Sequence, residues 1–392
     1  MKVICDRGAL LDAVQLISGV VATRTPKPQL TCVKLTAESD GKAGHLTLAA
    51  TDAEISLTLR SERVDVEQAG KALVPAAKLL DIIRAEDNEP TLTLEVDGDT
   101  MHITGADAHF QLRGFPPEDL PDVQTFKTAT TGPTGAKPAF SLPSGEMAEL
   151  VRRTLFSAAR ENSRYAINGV LMNREGKKLE MVATDGRRLS LAKATLGSDD
   201  GAGVSCIAPG KGLNMLLKLI DDPDEPIAVA VGDSQIVFAF GVDDPASGGE
   251  NARAVLTTNL VEGSFPPYED VIPKDHDIKV GFDRDVLASA VRRAALLTNE
   301  ESRGVRLSFS ASDKKLVLSS RVPEMGEARI DVDLAEFDGG DIEIGFNPGF
   351  ITEALRVIDQ PDVIVELKSP NKPGVLKAGP DFLYVVMPVN LQ

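Results

Sequence analysis

Apolar positions along the chain follow two alternating periods. Leu92, Leu94 and Val96 fall on every second residue, as do Ile227, Val229 and Val231, and again Leu316 and Leu318. That spacing belongs to strands with one face turned to a core. Elsewhere, Leu10 and Val14, Met147 and Val151, and Leu287 and Val291 stand four residues apart, which puts each pair on one face of a helix. The order predicts antiparallel sheets with two helices packed on one side of each, an α+β layer architecture.

The pattern occurs three times. A strand reaching Pro or Asn runs into a short helix with a basic end at 74–84, 208–218 and 346–356, so that Arg84, Lys218 and Arg356 fall about 135 residues apart. The helices of Leu10, Met147 and Leu287 recur in step, and the last two continue into Arg152-Arg153 and Arg292-Arg293. Leu46-Thr47-Leu48-Ala49-Ala50-Thr51-Asp52 is matched by Leu179-Glu180-Met181-Val182-Ala183-Thr184-Asp185. These markers predict three domains of one topology, over 1–127, 137–260 and 261–392. Phe115-Pro116-Pro117 and Phe265-Pro266-Pro267 punctuate the ends of two units. Residues 128–135 have linker composition, and 243–250 read as an exposed loop.

Composition narrows the function. Hydrophobic residues make up 42% of the 392, enough for sizeable cores, but aromatics are 4% and Trp is absent, so those cores rest on Leu, Val, Ile and Ala. Cys5, Cys32 and Cys206 show no CxxC spacing, which favours a reducing compartment over a disulfide framework. No signal-like segment stands at the start, and no apolar run reaches the ~18 residues of a membrane span. A soluble cytoplasmic protein is expected.

The net charge of −17 argues against nucleic acid only if it is spread evenly. The candidate helices, over 7–21, 75–84, 143–160, 209–220, 283–298 and 347–358, are each neutral or net basic. The acidic excess therefore lies outside them. Such segregation suits a ring whose inner face attracts phosphates without reading bases and whose outer face repels them. Twelve helices at about 10 Å each place their axes on a ring roughly 38 Å across and leave a hole of about 28 Å, wide enough for a duplex. One chain has half that number, so a closed cyclic homodimer is expected.

Catalysis finds little support. His45, His102, His109 and His276 form no HExxH pair, and Pro209-Gly210-Lys211-Gly212 lacks phosphate-loop spacing and reads as a helix start. Asp52 and Asp185 read as turn residues that accept backbone hydrogen bonds. No cofactor, metal or catalytic residue is expected. The competing reading is a three-repeat peptide-binding scaffold that never encircles DNA; a stable monomer would favour it.

Several motifs, in order along the whole chain, resemble those of the bacterial DNA polymerase III beta subunit, the beta sliding clamp family. They are Ala183-Thr184-Asp185-Gly186-Arg187-Arg188-Leu189, Leu260-Val261-Glu262-Gly263-Ser264-Phe265-Pro266-Pro267-Tyr268, Thr298-Asn299-Glu300-Glu301-Ser302-Arg303-Gly304-Val305-Arg306-Leu307 and Tyr384-Val385-Val386-Met387-Pro388-Val389. The Leu10-Leu11 helix and Pro75-Ala76-Ala77-Lys78 match as well.

The resemblance implies a head-to-tail dimer that acts as a processivity factor in DNA replication. It implies an apolar cleft for short peptides of the replicative polymerase, the clamp loader and repair proteins. The implied cleft residues are Ile167, Thr184, Gly186, Arg187, Arg188, Leu189, Pro266, Val271, Asn347, Phe350, Met387, Pro388, Val389 and Leu391. Arg188 is expected to meet peptide carbonyls or acids. Sequence-independent contact with double-stranded DNA is implied for Arg24 and Tyr165, and by analogy for Lys78, Arg84, Arg152, Arg153, Lys211, Lys218, Arg292 and Arg293. Phe110 and Leu112 of one subunit are expected to meet Leu296 and Leu297 of the next. Ala77, Glu161 and Ala166 depart from DNA-contacting residues of some relatives. Asp270 and Asn390 stand where the family often has Arg, which bears on partner preference.

Overall fold

The computed structural model describes residues 1–392 except 40–43, 124–125, 132–136, 162–164, 198–202, 243–248, 250, 299–303 and 391–392. Seven α-helices are described: α1 (Arg7–Ile17), α2 (Ala76–Ala85), α3 (Phe126–Thr131), α4 (Ser144–Leu155), α5 (Gly210–Leu219), α6 (Arg284–Ala294) and α7 (Pro348–Arg356). The chain divides into two compact units. One holds Met1–Ala148, Leu196–Val204 and Lys211–Leu260; the other holds Glu149–Thr195, Ser205–Gly210 and Val261–Gln392.

The first unit contains two sheets among the described residues. A five-stranded sheet runs Val64–Gln68, Lys2–Asp6, Thr91–Asp97, Thr100–Thr104, His109–Arg113. An eight-stranded sheet runs Lys137–Pro143, Pro226–Val231, Gln235–Phe240, Ala254–Asn259, Ile55–Ser61, Gly44–Thr51, Cys32–Ser39, Gly70–Pro75. Helix α1 starts where Asp6 Oδ1 accepts from the Ala9 amide at 2.8 Å, and it buries Leu10, Val14 and Ile17. Arg7 Nε donates to the Ile83 carbonyl at 3.0 Å, which satisfies an open carbonyl near the end of α2. Helix α5 starts at Gly210, as expected, and lies close to the sheet: a Cβ on Gly212 would come within 2.7 Å of Thr258.

Strict alternation fails in this sheet. Pro226–Val231, Gln235–Phe240 and Ala254–Asn259 are buried on both faces. The cause is α3. Residues 128–131, expected as linker, are helical, and 132–135 lie outside the described residues. Phe126 opens the helix fully buried against Ala228, Ala230, Val237, Ala239, Val242, Ala252 and Val255. That cluster covers a sheet face which alternation would leave to water. Most of the expected loop at 243–250 lies outside the described residues.

The second unit contains a nine-stranded sheet, Val204–Pro209, Gly169–Glu175, Lys178–Thr184, Arg188–Thr195, Phe382–Val386, Gly374–Ala378, Asp362–Leu367, Ile278–Asp283, Glu336–Asp338. A four-stranded sheet runs Gly326–Asp333, Lys315–Val322, Val305–Ser310, Ile342–Phe346. Asp283 caps α6 by accepting from the Asp285 and Val286 amides at 2.9 Å. Asn347 caps α7, with Pro348 in its first turn. The middle third of the chain supplies strands to both units. Its strand Ala254–Asn259 pairs with Ile55–Ser61, and its strand Arg188–Thr195 pairs with Phe382–Val386. Each joined strand of the earlier repeat, Ile55–Ser61 or Arg188–Thr195, begins at or just after the Thr-Asp turn that the sequence repeat marks.

All three cysteines are buried and free. Burial pushes the thiols of Cys5 and Cys206 up to about 12, and burial also raises Cys32. A thiol-selective disulfide reagent at pH 8 is expected to titrate none of them in the native protein and all three in guanidinium. Fast native labelling of any one would contradict this packing.

Candidate functional site

The two Thr-Asp turns are built alike. Thr51 Oγ1 donates to the Ile55 carbonyl at 2.9 Å, and Asp52 Oδ1 accepts from the Glu54 and Ile55 amides at 2.9 Å. In the second copy Thr184 Oγ1 donates to the Arg188 carbonyl at 2.6 Å, and Asp185 Oδ1 accepts from the amides of Arg187 at 2.9 Å and Arg188 at 3.1 Å. Both aspartates thus serve as turn acceptors. The third turn position is left-handed in each, Ala53 at φ 80° and Gly186 at φ 84°. A Cβ is strained there and glycine is not. Ala53→Gly is therefore expected to stabilise the protein by about 0.5–1 kcal/mol, the relieved strain less the added freedom of the unfolded chain. A urea melt that moves the other way would refute that reading of the turn.

Around the second turn lies a cleft of about 220 Å³ within the second unit. Thr184 faces Leu189 across its hairpin, and Leu189 faces Val385 on the next strand. Leu189, Val182, Leu191 and Val385 form an apolar floor, onto which Phe265, Tyr268 and Ile272 pack. Val271 and Met387 stand on the rim, 51% and 43% exposed, so apolar surface is held open to solvent. The chain beyond Met387 is pinned, because the Met387 amide donates to the Arg187 carbonyl and the Val389 amide to the Gly345 carbonyl, both at 2.9 Å.

Nine of the expected cleft residues line it: Ile167, Thr184, Gly186, Arg187, Arg188, Leu189, Pro266, Val271 and Met387. Asn347, Phe350, Pro388 and Val389 do not line it, and Leu391 lies outside the described residues. Pro267, Tyr268 and Val385 line it too and were missed, though all three sit inside motifs read from the sequence. Val385 carried a readable signal, since period two puts it on the same face as Met387. Tyr165, expected on DNA, lines this cleft and is 47% exposed.

Arg188 differs from the expectation. Its Nε donates to Asp185 Oδ2 at 3.1 Å, its Nη2 to the Phe156 carbonyl at 2.8 Å, and its Nη1 to Glu353. The guanidinium lies 4.5 Å from the Phe350 ring centroid and 5.4 Å from that of Phe156. Its donors are thus turned inward, and the residue braces the cleft wall. Burial opposes its charge, but Glu353 and Tyr384 outweigh burial and raise its pKa. Phe350 meets Arg188 through its ring, and Asn347 caps α7.

The expected DNA-facing cations divide. Arg24, Lys78, Arg84, Lys211 and Lys218 are exposed in the first unit, and Arg152, Arg292 and Arg293 in the second. Lys78 pairs loosely with Asp81 at 3.5 Å. Lys211 pairs with Asp52; burial alone would raise that carboxyl, yet Lys211 and the Ile55 and Glu54 amides bring it below its usual value. Arg153 is a correction. It is 4% exposed, paired with Glu149, bonded to Gln360 Oε1 at 3.1 Å and set over the Phe382 ring. At the matching place in α6, Arg293 has Ser289 in place of Glu149 one turn back, and stays exposed.

The expected subunit contacts fall on free edges. Phe110 and Leu112 lie on His109–Arg113, an end strand of its sheet among the described residues. Leu296, 76% exposed, and Leu297 form a short 3-10 turn that packs on Gly326–Asp333, an end strand of the four-stranded sheet. Met325, 66% exposed, adds to that patch.

A three-fold α+β repeat, two strand-joined units and an open apolar cleft beside the second Thr-Asp turn define the class: a three-domain clamp fold. The DNA polymerase III beta subunit N-terminal, central and C-terminal domains match residues 1–124, 141–267 and 269–390. The beta sliding clamps of Vibrio cholerae and Escherichia coli K12 are 32% and 31% identical over all of both chains. The Pseudomonas aeruginosa sliding clamp, solved bound to griselimycin, is similar with a TM-score of 0.89 and 32% identity over all of both chains. This chain belongs to the bacterial DNA polymerase III beta subunit family, the beta sliding clamps. No described helix is long and apolar enough to cross a membrane.

Proposed function

We infer that the chain is a non-catalytic processivity clamp. Two copies close head to tail into a ring around duplex DNA, each contributing clamp domains over 1–127, 137–260 and 261–392. The cleft takes short peptide segments of the replicative polymerase, the clamp loader and repair proteins. Arg24, Lys78, Arg84, Arg152, Lys218, Arg292 and Arg293 attract phosphates without base contacts, and Lys211 does so in competition with Asp52. The reading rests above all on a family match along the whole chain that includes the residues of the open cleft. It is supported by two apolar edge patches, at Phe110 and Leu112 and at Leu296, Leu297 and Met325.

Light scattering tests the ring first. A mass near twice 41.7 kDa at micromolar and nanomolar concentrations is expected. A monomer at both would overturn the closed ring and favour the peptide-binding scaffold.

A further inference from the structure

Two exposed carboxylates, Glu269 and Asp270, stand in one wall segment of the cleft. The strand Arg188–Thr195 carries Leu189, Leu191 and Lys193 on one face, opposite Thr184, Val182 and Glu180. Lys193 lies five residues beyond Arg188, about 17 Å along the strand. Tyr268 packs on the cluster of Val182, Leu189, Leu191 and Val385 and lines the cleft with Val271. Burial and the charges of Glu180 and Glu269 push its hydroxyl up to about 12, so the wall itself is neutral.

Behind and beside that wall stand Glu175, Glu180, Glu269 and Asp270. Glu180 is 8% exposed and absorbs both nearby lysines, Lys178 at 2.8 Å and Lys193 at 3.4 Å. Glu175, Glu269 and Asp270 are exposed. The exposed Lys177 and Lys274 bring these segments to four charges of each sign, so the acidic character is local. Lys178 and Lys193 are turned toward Glu180, while Glu269 and Asp270, set between the wall residues Tyr268 and Val271, make no ion pair among the described residues. At the Arg188 end of the strand Arg187 is exposed, while Arg188, Asp185 and Glu353 bind one another.

We propose that the cleft selects partner peptides whose apolar core is flanked by a lysine or arginine, seated beyond the Tyr268–Val271 wall against Glu269 and Asp270. The proposal rests on the reading of the cleft as a peptide site and adds the charge of its ligand. Rim charges discriminate partners and set on-rates more than they add affinity. An exposed pair changes affinity by about two- to five-fold, so two acidic residues acting on one flank give about a ten-fold preference.

The test uses the full chain and fluorescein-labelled peptides that share one leucine-rich core. Two lysines or two glutamates are placed at the amino or the carboxyl flank. Anisotropy titrations at low salt are expected to favour lysine over glutamate by about ten-fold at one flank. The preference is expected to shrink to about two-fold in Glu269→Gln/Asp270→Asn and to invert in Glu269→Lys/Asp270→Arg. Equal binding of the lysine and glutamate peptides, or a preference that survives both double variants, overturns the proposal and leaves the peptide cleft standing. Failure of every peptide to bind overturns the peptide cleft itself, and the charge selection with it.

Discussion

Leu296→Asp is expected to turn the dimer into folded monomers. Leu296 is 76% exposed in the single chain, so the substitution costs the monomer almost nothing. In a closed interface the same side chain is covered. Losing a buried leucine removes about 1.5–3 kcal/mol, and burying an unpaired carboxylate adds several more. Together these weaken association by at least about a thousand-fold. Light scattering should report half the wild-type mass, with an unchanged circular dichroism spectrum and urea midpoint. A dimer of undiminished affinity would show that the ring closes through another surface. Gln111→Asp, on the opposite face of the strand His109–Arg113, is the control and should leave the dimer intact.

The second large effect is expected at Arg188. Arg188→Met removes the cation shared by Asp185 and Glu353 and leaves the Phe156 carbonyl without its donor. Breaking a buried pair costs about 3–5 kcal/mol. Asp185 and Glu353 are 21% and 42% exposed, so water offsets part of that loss, and a destabilisation of about 2–3 kcal/mol is expected. Arg188→Lys should recover little, because one ammonium does not reach two carboxylates and a carbonyl in one plane. Peptide affinity should fall with stability, since Gly186, Arg187 and Leu189 take their positions from the same turn. A variant as stable as wild type would show that the triad contributes nothing to the cleft wall.

How much was legible follows from what each residue's environment depends on. The three-fold repeat, the helices at Leu10, Met147 and Leu287 and the two Thr-Asp turns depend on local spacing, and the structure has them. The role of Arg188 depends on Glu353, 165 positions away, and on two aromatic rings; nothing near it in sequence shows them. Arg153 was half legible. Glu149 stands one helical turn earlier, a pairing that α6 lacks, but Gln360 and Phe382 come from distant segments. Linker composition at 128–135 hid α3, because its buried anchor, Phe126, stands before that stretch. The joining of Ile55–Ser61 to Ala254–Asn259 and of Arg188–Thr195 to Phe382–Val386 is a pairing across repeats. Period two shows which face a strand buries, but not which strand lies beside it.

Encirclement is tested most directly by topology. The full-length protein is loaded onto a nicked circular plasmid with ATP and a clamp loader shown to act on it, and is then passed through a gel-filtration column at moderate salt. The protein is expected to elute with the circle and to be lost from the DNA once a restriction enzyme opens the circle, because a ring slides off a free end. Elution with circular and linear DNA alike, falling with salt in the same way for both, would mean that the chain binds the duplex surface and does not surround it.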